Sequence, residues 1–450
     1  MTSVRFSELD GAAVGVWGAG REITSFADQL ARRMPGASIV AAVFDAPPDD
    51  GVRDLLRAPA ARILGPEEAV SGLGGCDVIV RSPGVSSHRP ELSALRDAGV
   101  TVTTATGLWL CEHGGGGVIG VTGTKGKSTT AALACHLVRA AGRRARLAGN
   151  IGAPALDLFD DDDDAIVILE LSSYQIADLL CGPEVALVTN LFREHTEWHG
   201  SEDAYRADKL RLLDLPGVRV AVVNGRDRRV ATAATAAARV EFGTDSGWNA
   251  TEAGLSRRGE LVMPPDAIVL PGEHNLLNLC AALTALGALG VSIEDPAAAL
   301  EGFEALPHRL QPVADSGGLT WIDDSISTTP ESAIAALASF PGRELVLIGG
   351  GQDRGQDYAA LGRALAERGA RVIGVPSTGS RLIDCAVVAG LPPASALTAS
   401  DLPGAVELAR ELAPIGAVVL LSPAAPSFDQ YRDFEQRGEL FAALARSRPA

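Results

Sequence analysis

One stretch constrains this chain more than any other: Val118-Ile-Gly-Val-Thr-Gly-Thr-Lys-Gly-Lys-Ser-Thr-Thr130. A β-branched run leads into a glycine-rich turn, and Lys127-Ser128-Thr129 opens a helix-forming segment. Glycines let main-chain N–H groups converge on phosphate oxygens, and the N-terminus of the next helix adds its positive end. Lys127 reaches the outer phosphates, and a hydroxyl beside it ligates magnesium. The spacing Gly120-x-x-Gly123-x-x-Gly126-Lys127 departs from G-x-x-x-x-G-K-[ST]. A tight strand–helix turn that binds nothing is the bland alternative. Convergence of glycines, lysine and hydroxyls favours a nucleoside triphosphate.

The same alternation of short β-branched runs and Ala/Leu/Arg-rich stretches fills the chain. Runs stand at Val14–Trp17, Ile39–Phe44, Asp77–Arg81, Val118–Thr122, Ala165–Leu171, Val185–Asn190 and Val218–Asn224, then at Leu319–Asp323, Leu345–Gly349, Arg371–Val375 and Ala417–Leu421. Helical stretches include Thr129–Ala141, Asn275–Leu289 and Asp357–Arg368. This rhythm predicts an α/β chain of buried parallel strands. At 450 residues it is too long for one core. Glycines 114 to 117 read as a flexible joint, and a second boundary falls near Leu306-Pro307-His308-Arg309. Three domains follow: 1–116, 117–307 and 308–450.

Composition excludes several classes. The net charge of −17 argues against nonspecific nucleic-acid or anionic-membrane binding. No apolar run reaches the roughly 18 residues of a membrane span, and the first residues lack a secretory series, so a cytoplasmic protein without membrane insertion is expected. Cys76, Cys111, Cys135, Cys181, Cys280 and Cys385 are widely spaced, which predicts reduced, mostly buried thiols. The run Asp160–Asp164 reads as a solvated loop.

A triphosphate requires a metal. Glu170 ends a strand, where an α/β sheet presents its ligands, and its carboxylate suits magnesium. His195 and Lys209 follow the strand end at Asn190 and are candidates for a second metal or the substrate. His195 and His199 have the i, i+4 spacing of a zinc helix, but Thr196 stands where the catalytic Glu belongs. Near the N-terminus, Gly18-Ala-Gly20 looks like a Rossmann turn without its third glycine. Asp45 ends the next strand, near where a ribose-binding carboxylate sits.

Nine segments in order resemble the Mur ligases over nearly the whole chain. They are G-T-K-G-K-S-T (123–129), G-N-I-G (149–152), E-L-S-S-Y-Q (170–175), E-H-T-E-W-H-G-S (194–201), A-D-K-L (207–210), G-E-H-N (272–275), P-H-R-L-Q (307–311), D-S-I-S-T-T-P-E (324–331) and L-S-P-A-A-P-S-F-D-Q-Y (421–431). F-E-Q-R-G (434–438) looks like the glutamate-adding branch. The resemblance implies a Rossmann-like first domain for a UDP-sugar substrate, a central P-loop ATPase-like domain and a Rossmann-like glutamate domain. It implies ATP held by Gly123, Thr124, Lys125, Gly126, Lys127, Ser128, Thr129, Asn275, Arg309 and Asp324. Two magnesium ions fall to Ser128 or Thr129, Glu170, His195 and Lys209, with Lys209 carbamylated. Lys127, His195 and Lys209 are the implied catalytic residues. Substrate contacts are Gly18, Gly20, Asp45, Ser82, Gly84, Asn150 and Ser172 for the nucleotide sugar, and Thr328, Arg354, Ser427 and Phe428 for the amino acid.

One departure bears on stereochemistry. D-glutamate-adding members usually show D-S-K-A-T-N, whereas this chain has Asp324-Ser-Ile-Ser-Thr-Thr329. Ile326 donates nothing to a carboxylate. Together with G-x-D-R-G at 351–355 and A-P-S-F at 425–428, this resembles the subgroup that adds L-glutamate to UDP-N-acetylmuramoyl-L-alanine and leaves inversion to a partner epimerase. D-glutamate addition stays open as the alternative. A monomer acting on small molecules is expected. A dehydrogenase leaves the phosphate loop unexplained, and a catalytically dead module is opposed by retention of Lys127, Glu170, His195 and Lys209. A folylpolyglutamate synthetase shares the loop chemistry but does not account for the first-domain crevice.

Overall fold

The computed structural model describes residues 3–45, 61–160, 164–192, 196–264, 272–304, 307–353 and 355–447. Contacts group them into two compact units, Met1–Phe303 and Glu304–Ala450.

The first unit holds two parallel sheets. One runs β3 (Arg62–Leu64), β2 (Ser38–Val43), β1 (Ala13–Trp17), β4 (Val78–Arg81), β5 (Thr101–Thr103). That is the doubly wound order, with its switch point between β1 and β4. The other runs β11 (Ala238–Phe242), β10 (Val220–Asn224), β9 (Val185–Val188), β6 (Val118–Thr122), β8 (Ile166–Glu170), β7 (Ala145–Gly149). β6 and β8 are buried at every position, as strands covered on both faces must be. A small antiparallel sheet, β12 (Trp248–Thr251), β13 (Gly254–Arg257) and β14 (Glu260–Met263), follows.

The second unit is one sheet in the order β15 (Gln311–Ser316), β16 (Leu319–Asp323), β20 (Val418–Leu421), β17 (Leu345–Gly349), β18 (Arg371–Gly374), β19 (Ala396–Thr398). Only its edge strand β15 is antiparallel.

Two sequence expectations are corrected. Glycines 114–117 are a packed turn rather than a loose joint. Gly114 ends the helix Ala105–His113 in the left-handed region, Gly117 N donates to Glu184 Oε2 at 2.8 Å, and a Cβ on Gly115 would meet Gly182 O at 2.3 Å. The cysteines are not all thiols: Cys111 and Cys181 form a disulfide, while Cys76, Cys135, Cys280 and Cys385 are free. The bonded pair is 70 residues apart in sequence with Cα atoms at 5.2 Å, a proximity created by the fold and invisible in the spacing. Asp160 is bound by Arg32 and Arg33, and three of the four aspartates after it lie outside the described residues.

Candidate functional site

The carboxyl ends of β6, β8 and β9 meet around the phosphate loop. Thr124 N donates to Asn190 O at 2.8 Å, and Lys125 N donates to Asn190 Oδ1 at 2.8 Å. Thr189 Oγ1 and Asn190 Nδ2 donate to Lys125 O at 2.7 and 3.0 Å. The loop is thus shaped before any ligand arrives. Two glycines have no substitute. A Cβ on Gly123 (φ 144) would lie 1.9 Å from Thr189 Oγ1, and one on Gly126 (φ 81) 2.2 Å from Asn278 Oδ1. Gly126 caps the helix Lys127–Ala140, whose first N–H groups have no helical acceptor. Lys127 Nζ donates to Thr124 O at 2.9 Å, so the ammonium lies over the loop. Ser128 is buried at the helix start. Asn278 also donates to Asn275 Oδ1 at 3.3 Å, which sets Asn275 beside the cradle on the helix Glu273–Ala288.

Glu170 is fully buried at the end of β8. Its Oε1 accepts from Asn150 Nδ2 at 3.0 Å, while Oε2 has no hydrogen-bond partner among the described residues. Leaving a buried polar atom unpaired costs about 1–3 kcal/mol, more when it is charged. A buried, unpartnered carboxylate oxygen beside a phosphate cradle fits a magnesium ion, a hard cation that takes oxygen donors. Lys209 is also buried (2% exposed), its Nζ 5.0 Å from the Tyr205 ring centroid. Tyr205 Oη in turn lies 2.8 Å from Thr124 Oγ1. Lys127, Ser128, Glu170, Asn150, Lys209 and Asn275 therefore share one region of the first unit. His195 lies outside the described residues.

A second crevice lies at the β1–β4 switch point. Gly18 (φ 94) must lack a side chain, because a Cβ would meet Ser82 Cβ at 2.7 Å. Ser82 Oγ donates to Ala19 O at 2.8 Å, and Gly20 caps the helix Arg21–Arg33. Arg21 donates to Asn150 O and Gly152 O at 3.0 and 3.1 Å. Asp45 is exposed and accepts from Arg89 Nη2 at 2.8 Å. Gly84 O accepts from Trp198 Nε1 at 3.3 Å. Ser172 caps the short helix Ser173–Ile176 reciprocally with Gln175. Gln175 Nε2 donates to Glu22 Oε1 at 2.5 Å. Burial pushes the Glu22 carboxyl above its usual 4.5, although hydrogen bonds from Gln175 and Thr106 pull the other way.

The partner that the i, i+4 spacing gives His199, His195, lies outside the described residues, and His199 itself ends the short helix Thr196–His199. Its Nδ1 lies 2.7 Å from Asp208 Oδ2 and its Nε2 2.9 Å from Ser173 Oγ, and His88 Nε2 lies 2.9 Å from the same Asp208 oxygen. Burial alone would raise the Asp208 carboxyl, but the two imidazoles hold it below its usual value. Nothing in the spacing of residues 88, 173, 199 and 208 signals this cluster. Asn190, Asn278 and Tyr205 likewise carry no motif signal; only the assembled sheet sets them beside the loop.

In the second unit Asp324 is buried and accepts from Ser422 Oγ at 2.8 Å and Leu310 N at 3.2 Å. Burial pushes its carboxyl up to about 6. His308 Nδ1 lies 2.7 Å from Asp323 Oδ2, which raises the imidazole above its usual 6.5. The F-E-Q-R-G segment opens the helix Phe434–Arg446. Arg437 donates to Ser325 Oγ and O at 3.0 and 2.8 Å, and a Cβ on Gly438 would meet His308 Nδ1 at 2.1 Å. Ser427 is buried with an unpartnered Oγ, Phe428 is 60% exposed, and Ile326 and Thr328 are half-buried. Arg309 and Asp324 thus flank one loop of this unit; Arg354 lies outside the described residues.

Residues 121–286 match the family model of the Mur ligase middle domain, and residues 308–425 that of the Mur ligase glutamate ligase domain. The chain is 44% identical to a UDP-N-acetylmuramoyl-L-alanine–L-glutamate ligase of a Micromonospora species, covering 98% of each. It is 43% identical to the protein of the same name from Salinispora tropica, over 98% of this chain and 99% of that one. Among solved structures, MurF of Thermotoga maritima in complex with ADP has the same fold, with a TM-score of 0.58 at 18% identity over 98% of each chain. MurC of the same organism gives a TM-score of 0.57 at 18% identity, over 96% of this chain and 98% of that one. The chain belongs to the Mur ligase family.

Proposed function

We propose that this chain is an ATP-dependent ligase that joins L-glutamate to UDP-N-acetylmuramoyl-L-alanine, a step of peptidoglycan precursor synthesis. The observation that carries the reading is the buried carboxylate of Glu170, one oxygen unpartnered, beside a preformed phosphate cradle, in a chain 44% identical over its length to a ligase of that name.

The terminal alanine carboxylate attacks the γ-phosphorus of ATP, giving an acyl phosphate and ADP. The glutamate amine, having lost a proton, attacks the acyl carbon, and the tetrahedral intermediate expels phosphate as the amide forms. Catalysis of this kind is positioning and charge neutralisation. The loop N–H groups and Lys127 would hold the phosphates, and Asn275 would contact the adenine nucleotide. Glu170, Ser128 and Lys209, with His195, would hold magnesium, which supplies positive charge to the phosphate oxygens. Carbamylation of buried Lys209, in which its neutral amine adds to carbon dioxide and loses a proton, would turn a cation into an anionic oxygen ligand suited to a metal site. Asn150 steers the Glu170 carboxylate rather than only contacting the sugar.

Residues 1–116 would bind the UDP-sugar, 117–307 ATP and 308–450 glutamate. The enzyme works in the cytoplasm as a monomer, on small molecules, ahead of an epimerase. Ile326 in place of a lysine supports L-glutamate, since a pocket reads chirality through its carboxylate donors. ADP and phosphate release should require ATP, UDP-N-acetylmuramoyl-L-alanine and glutamate together. Full turnover without either acceptor would overturn the reading.

A further inference from the structure

The loop after β4 carries Ser82 and Gly84 at the nucleotide-sugar crevice and continues to His88. That imidazole is 42% exposed, and its Nε2 lies 2.9 Å from Asp208 Oδ2. Asp208 immediately precedes Lys209 on the helix Glu202–Leu210. The same carboxylate oxygen holds His199 Nδ1 at 2.7 Å, and His199 Nε2 reaches Ser173 Oγ at 2.9 Å. Ser173 adjoins Ser172 and follows Glu170 by three residues. Four side chains, His199 coming from the short helix Thr196–His199, therefore join the sugar loop, the Glu170 strand end and the Lys209 helix.

We propose that His88 is a positioning residue, which through Asp208 sets the nucleotide-sugar loop in register with the Lys209 and Ser172 segments. This rests on the ligase reading above. His88 differs from the other ties across the same junction. Arg81 is fully buried and paired with Asp178 at 2.6 Å, so its loss would endanger the fold itself. Ser86 Oγ donates to Trp198 O at 2.7 Å and Trp198 Nε1 to Gly84 O at 3.3 Å. Those two bonds survive truncation of His88, so the loop stays attached but loses its fixed register. The donor atoms of His88, His199 and Asp208 also lie within 4.8 Å of one another, close enough for a metal. Yet Asp208 Oδ2 already faces both rings, and the far nitrogen of His199 faces Ser173. The hydrogen-bonded chain is complete without an ion.

The test is steady-state kinetics of the full-length enzyme and two variants, with thermal melting of each. Turnover by the wild type is measured first; its absence refutes the ligase reading and takes the proposal with it. With the wild type active, His88→Ala should raise KM for UDP-N-acetylmuramoyl-L-alanine about tenfold, leaving kcat and KM for ATP within about twofold. His88→Gln places an amide nitrogen near the lost Nε2 and should recover most of the loss. An unchanged nucleotide-sugar KM, a uniform loss across all kinetic constants, or a glutamine variant no better than alanine would each overturn the proposal. So would zinc ions raising the melting temperature of the wild type and not of His88→Ala, which would make the cluster a metal site.

Discussion

The phosphate loop and the candidate amino-acid surface of the second unit are built in opposite ways. Around the loop the main chain is the recognising surface. Asn190 and Thr189 hold it, and Gly123 and Gly126 are glycines because Thr189 and Asn278 occupy the space of a Cβ. In the second unit the candidate surface is made of side chains: Ser427 buried and unpartnered, Phe428 exposed, Ile326 and Thr328 half-buried. A backbone site tolerates little variation and keeps its chemistry. A side-chain surface is retuned by single substitutions.

The contrast breaks most visibly at Lys127. Lys127→Ala should lower ATP-dependent turnover by about 10³-fold with an unchanged melting temperature; residual turnover near wild type would remove the lysine from the phosphate site. Lys209→Ala should lose activity on a similar scale and regain part of it with added short carboxylates. Normal folding without rescue would count against a carbamate ligand. On the side-chain surface the effect is smaller and selective. Ile326→Lys should shift the ratio of kcat/KM for D- over L-glutamate upward by about tenfold, and an unchanged ratio would free this position from stereochemical control.

The smallest effect concerns stability. The His308 pKa is raised above 6.5 by Asp323, so the pair's contribution is fully present below the unfolded value and fades as pH rises through the folded one. The melting-temperature gap between wild type and His308→Gln should therefore shrink from about pH 5.5 to about pH 9. A gap that widens would reverse the assignment.

Legibility in sequence followed the same division. The strand Val118–Thr122 and the helix opening at Lys127 stand where the glycine-rich motif puts them. Long buried strands such as β8 and β17 announce themselves by continuous apolar runs. β3, β5 and β19 are three residues each and carry no period of their own; their pairing is supplied by the neighbouring strand. The hairpins β12–β14 leave Leu261 and Val262 exposed, which blurs the alternation. Position and resemblance point to Glu170 and Lys209, but their burial and the open Glu170 oxygen belong to the fold. His88 and Asp208 are 120 residues apart, and only the assembled fold brings them together.

The most direct test of the central claim is phosphate release from ATP with UDP-N-acetylmuramoyl-L-alanine and either enantiomer of glutamate, each supplied free of the other. Turnover with L-glutamate and none with D-glutamate is the predicted result. Turnover with D-glutamate alone would keep the ligase and contradict the reading of Ile326, and release with neither would contradict the ligase itself.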